Sequence, residues 1–111
     1  MSAKIELAAL LEVVAQSAER GSPPLPDVAE VYLRQAQGDA RLTGFAYDIL
    51  GHAHQHFSEH RTAQAAFRNA IASFKQAGEL RSATQSWILL GTSHLLNGEP
   101  LLALDSWADA L

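Results

Sequence analysis

A chain of 111 residues has room for one domain with a modest core. Apolar residues make up 48% and charged residues 18%, with only seven Gly and four Pro, which excludes intrinsic disorder, collagen-like repeats and a coiled-coil rod. Eight Lys and Arg against twelve Asp and Glu leave a formal charge of −4 with no concentration of basic residues, so no nucleic-acid partner is expected, and the lack of cysteine removes disulfides, thiolate metal sites and thiol nucleophiles.

In chain order, the pattern predicts a first helix from Ser2 to Arg20. Ile5, Ala8, Leu11, Ala15 and Ala18 recur every three or four residues, and Leu7, Leu10 and Val14 widen the stripe. Lys4, Glu6 and Glu12 interrupt it, so neither a membrane span nor a secretory leader is expected, and the cytoplasm is the default compartment. Gly21 suits a left-handed helix end, and Ser22-Pro23-Pro24-Leu25-Pro26 reads as a stiff extended connector. Asp27 and Glu30 have capping-box spacing ahead of a short helix from Val28 to about Gln37, ended by Gly38. Further helices are predicted over about 40–57, 61–77 (ended by Gly78) and 81–96 (ended by Asn97-Gly98). Pro100 opens a last helix that runs into Leu111 with no cap, which reads as the edge of a larger protein.

Sliding the chain against itself by 40 residues exposes an internal repeat. Residues 38–71 on 78–111 share Gly38/Gly78, Arg41/Arg81, Leu50/Leu90, Gly51/Gly91, His54/His94, Glu59/Glu99, Ala63/Ala103 and Ala70/Ala110. Tyr47/Trp87 and Phe67/Trp107 are conservative pairs. Within a copy, Tyr47, Leu50, Gly51 and His54 line one helix face, and Ala63, Phe67 and Ala70 line a face of the next. Small residues at Gly51 and Ala63 let two helices of a hairpin approach closely. Phe67 and Trp107 are the bulky side chains expected to fill the space between successive hairpins.

This pattern resembles the tetratricopeptide repeat. The motif reads Tyr47-x2-Leu50-Gly51-x2-His54 … Ala63-x3-Phe67-x2-Ala70 in one copy. It reads Trp87-x2-Leu90-Gly91-x2-His94 … Ala103-x3-Trp107-x2-Ala110 in the next. The chain departs from the family in having His54 and His94 where a tyrosine is usual, in lacking the closing proline, and in its period of 40. Long repeats of this kind resemble those of bacterial signalling and transcriptional regulators and of kinesin light chains. The resemblance implies an all-α, right-handed superhelical stack of hairpins in a single domain, residues 1–111. Its parts would be a degenerate or capping hairpin (1–37), one repeat (38–77) and an incomplete repeat (78–111).

The resemblance also implies a concave groove lined by the first helix of each hairpin, binding an extended peptide or a helix of a partner protein. Helical spacing assigns Phe45, Asp48, His52, Gln55 and His56 to it in one repeat, and Gln85, Ile88, Thr92, Leu95 and Leu96 in the next. Family members that grip a C-terminal carboxylate use Lys and Asn on this face. Asp48 and His52 stand in comparable places here, which argues against that mode. A regulatory arm of a larger signalling protein and a homodimer through Leu101, Leu104 and Trp107 of the last hairpin are the rival readings.

His52 and His56, one helical turn apart, are a possible metal-binding pair, with Asp48 or His60 as a third ligand. A solvated histidine face, or a pH-sensitive one, accounts for the same residues. His54 and His94 are expected to be core residues with one ring nitrogen hydrogen-bonded. No nucleophile elbow and no phosphate-binding glycine loop is present. The expectation is therefore a protein without catalysis or cofactor.

Overall fold

The computed structural model describes residues 3–111 as six helices. They are α1 (Ala3–Glu19), α2 (Pro26–Ala36), α3 (Ala40–His56), α4 (His60–Gln76), α5 (Leu80–Leu96) and α6 (Pro100–Ala110). The Ser2 start expected for the first helix lies outside the described residues. No helix among those described is long and apolar enough to cross a membrane.

Consecutive helices from α3 onward are joined by three-residue turns and lie side by side, α3 on α4, α4 on α5, α5 on α6. Turns that short leave adjacent helices antiparallel. The molecule measures 46 × 29 × 20 Å. α1 and α2 both lie against α3, with Leu11, Ala29 and Ala36 joining Leu42, Ala46, Ile49 and Ala53 in one core cluster. α3 is thus enclosed from several sides, and nothing from Leu42 to Ala53 on it is freely exposed.

The turns share one chemistry. The amides of Glu59, Glu79 and Glu99 donate to the carbonyls of His54, Phe74 and His94 at 2.8–3.0 Å, closing each helix end with a six-residue bond. That closure needs a left-handed residue just before the glutamate. Gly78 (φ 74°) and Gly98 (φ 73°) supply it after α4 and α5, whereas after α3 the slot holds Ser58 at φ 58°.

The start of α2 corrects the capping-box expectation. Pro26 takes the first helical position and Leu25 the cap position; the Leu25 carbonyl accepts the amides of Val28 and Ala29, and no side chain caps the helix. A proline with φ already helical starts the helix two residues earlier than expected and leaves Asp27 inside the first turn. Side-chain capping occurs at α3 instead, where Asp39 Oδ1 accepts the Leu42 amide at 3.0 Å and Oδ2 pairs with Lys4 at 2.7 Å. Lys4, followed by the Leu42 amide, holds the Asp39 carboxyl below its ordinary pKa.

The glycines on helix faces admit aromatic rings. A Cβ on Gly51 would collide with the Phe67 ring, and one on Gly91 with the Trp107 indole. The same holds at Gly44, where the added atom would stand 2.6 Å from Phe74 Cε1. This third pair has no counterpart in the second repeat, where Thr84 replaces Gly44. Phe67 is 2% exposed and reaches the α4–α5 cluster of Ala63, Ile71 and Leu90, with Trp87 and Leu89 beside it. Trp107 has no following hairpin to meet among the described residues. It lies half-buried on the α5–α6 flank, its Nε1 donating to the Ile88 carbonyl at 3.2 Å.

Candidate functional site

The residues assigned to the groove on α3 do not form an open surface, because α3 has neighbours on several sides. Asp48, 8% exposed, faces α5 and takes the Ser86 hydroxyl on both oxygens, at 2.8 and 3.0 Å. Burial pushes its carboxyl up to about 8; Ser86 opposes that rise and the charge of Glu19 adds to it. Two helical turns further along, Gln55 Oε1 accepts from Ser93 Oγ at 2.7 Å, and its Nε2 donates to His60 Nδ1 at 2.8 Å. Asp48–Ser86 and Gln55–Ser93 form a polar seam between α3 and α5.

His52 is likewise withdrawn. Its ring meets Phe67 edge-on, centroids 5.5 Å apart, and its Nε2 is buried without a hydrogen-bond partner. Burial lowers its pKa to about 4. Phe45 packs edge-on against Phe74 at 5.2 Å, with the Arg41 guanidinium 5.0 Å from its centroid. Of the five α3 residues placed in the groove, His56 alone is exposed, its ring against Phe57 at 5.3 Å. The rings of His52 and His56 therefore meet different neighbours. Among the described residues no three His, Asp or Glu side chains are grouped to hold a metal ion.

His54 and His94 occupy matching positions in the two repeats. Nδ1 of each donates across the following turn, to Glu59 at 3.1 Å and to Glu99 at 3.0 Å. His94 is 3% exposed, and Glu99 Oε1 also accepts from Asn97 Nδ2 (3.1 Å) and Gln64 Nε2 (3.3 Å), while Oε2 pairs with Arg61 at 2.8 Å. The hydrogen bond from His94, then those from Asn97 and Gln64, hold Glu99 down at about 2. This knot joins α4, α5 and α6 and is structural.

The α5 half of the predicted groove is open. Gln85, Thr92 and Leu95 are exposed, and Ile88 is 41% exposed, with its carbonyl engaged by Trp107 and by the Thr92 hydroxyl. Ile88 also borders a shallow apolar depression of about 570 Å³ between α5 and α6, which joins a residue assigned to the groove with Leu104 and Trp107 of the homodimer reading. Thr84, Leu104, Trp107 and Leu111 complete its walls. Sequence reasoning treats these residues as two separate surfaces, a groove at Ile88 and an open flank at Leu101, Leu104 and Trp107. A second depression, about 640 Å³, lies where α1 starts and α2 meets α3, beside the Lys4–Asp39 pair.

No family model matches this chain, and neither a curated protein nor a solved structure does.

Proposed function

We propose that this chain is a non-catalytic protein-binding module, a tetratricopeptide-like stack whose partner docks on the exposed α5–α6 face rather than along α3. One observation carries the reading. α5 and α6 leave Ile88, Leu95, Leu96, Leu101 and Leu104 exposed, and Ile88 and Leu104 line a carbon-walled depression between the two helices. A contiguous patch of that kind on a protein surface marks an interaction site, whereas single exposed apolar residues do not. The superhelical arrangement is part of the same proposal, supported by the 40-residue repeat and by matching His–Glu turns in both copies.

Selecting a displayed library of random 20-residue peptides against the chain tests the proposal. Enriched peptides are expected to lose at least tenfold in affinity for Ile88→Glu and Leu95→Glu variants, both at exposed positions. Failure to enrich any binder, or binders indifferent to both substitutions, would refute it.

A further inference from the structure

The repeat itself shows what covers the α5–α6 face. On α4, Gln64, 0% exposed, donates to Glu99 at the start of α6, and Phe67 and Ile71 are 2% and 5% exposed, because α5 lies over this flank. α5 meets it with Ala83 against Ala70 and Phe74, and with Trp87 and Leu90 against Phe67 and Ile71. The counterparts 40 residues on are Leu104 and Trp107 of α6 and Leu111 just past its end. Leu104 is 58% exposed, Trp107 is half-buried and Leu111 is open. Among the described residues the same surface is therefore built twice and covered once.

Charge repeats the pattern independently. Arg41 Nε pairs with Glu79, the residue that starts α5, at 3.4 Å. Its counterpart Arg81 is exposed and has no ion pair among the described residues.

Resting on the protein-binding reading, we infer that the occupant of the α5–α6 face is a partner helix built like α5: an acidic residue at its start, an aromatic eight residues later and a leucine three beyond that. The acid meets Arg81, and the aromatic and leucine cover Trp107 and Leu111 beside Leu104. A folded second copy is a poor candidate. The chain's own helices with this pattern, α3 (Asp39, Tyr47, Leu50) and α5 (Glu79, Trp87, Leu90), are packed within their own molecule.

The probe is a fluorescein-labelled peptide of residues 78–97, stapled between positions 85 and 92, which are exposed in α5. Titrated with the full chain and followed by anisotropy, it is expected to bind saturably. Leu104→Glu and Leu111→Glu, at exposed sites where folding tolerates them, should each weaken binding at least tenfold. Arg81→Glu should weaken it about threefold, and a peptide carrying Glu79→Arg should restore that loss. No saturation at several hundred micromolar, affinity unmoved by Leu104→Glu and Leu111→Glu, or a chain dimer in sedimentation that the peptide fails to dissociate would each overturn the inference. If library-selected peptides bind through Ile88 while the α5 peptide does not, the proposed occupant falls and the docking face stands.

Discussion

Asn in place of Asp48 should make this protein more stable at neutral pH and, near pH 4, less stable by about 1–3 kcal/mol. Ser86 Oγ has one proton and three acceptors in reach, Asp48 Oδ1 at 2.8 Å, Oδ2 at 3.0 Å and the Ser82 carbonyl at 3.2 Å. A protonated carboxyl resolves the competition, since it donates to Ser86, which donates to Ser82. The carboxyl titrates near 8 in the folded chain against 3.8 ordinarily. Between those values the folded state holds a proton that the unfolded state has released, so stability is full below about pH 4 and declines as pH rises towards 8. At about 1.4 kcal/mol per pH unit, the loss reaches roughly 4 kcal/mol by pH 7. Asn removes the titration but leaves one buried N–H without a partner, which costs about 1–3 kcal/mol. A net gain of about 1–3 kcal/mol at pH 7.5 follows. Urea unfolding of both proteins at half-unit steps from pH 4 to 9 measures it, because other titrating groups cancel in the difference. A difference that stays flat from pH 4.5 to 8 would show that the carboxyl is ionised in the fold and refute the reasoning.

Further outcomes follow from the turns and glycines. Gly51→Ala should destabilise by about 1–2 kcal/mol in chemical denaturation, a clash with Phe67 partly offset by better helix propensity. Gly91→Ala should cost less, because the half-buried Trp107 can swing outwards; a double-mutant cycle with Phe67→Leu or Trp107→Leu locates each clash. Ser58→Gly should stabilise by about 0.5–1 kcal/mol, since it relieves a left-handed serine, and a raised urea midpoint with unchanged slope would register it. Glu99→Gln should lower the thermal midpoint above pH 5 and lose its effect as pH falls to about 2. The low pKa of Glu99 stabilises the fold above about 4.5, and that contribution fades as the group protonates.

The six helices and their order were legible because each helix carries an apolar period and each turn but one a glycine or proline; only the turn after α3, with Ser58 in the glycine slot, lacks that signal. Close helix approach at Gly51 was legible from its small size and its repetition at Gly91, but that the rings of Phe67 and Trp107 fill those notches was not. Nor was Gly44–Phe74, since Thr84 breaks the correspondence. The capping box at Asp27 had the right residue types, but Pro26 had already fixed the backbone entry. The α3 half of the groove failed for a different reason. Helical spacing says which residues share a face; it does not say which neighbour that face meets. Asp48, His52 and Gln55 share a side of α3, and α4 and α5 close over it. Ile88 and Leu95 remained exposed because the helix that carries them has fewer neighbours.

That difference in enclosure sets a gradient of local opening. α3 touches α1, α2 and α4 and shares the polar seam with α5, so its amides can exchange with solvent only when most of the molecule comes apart. α6 rests chiefly on α5 and should open at a fraction of that free energy. The proposed docking face thus includes the segment with the smallest cost of detachment. A helix bound there would slow amide exchange throughout α6 by the factor 1 + [L]/Kd, while leaving α3 governed by global unfolding. Occupancy could then be read from the exchange rate of α6 alone.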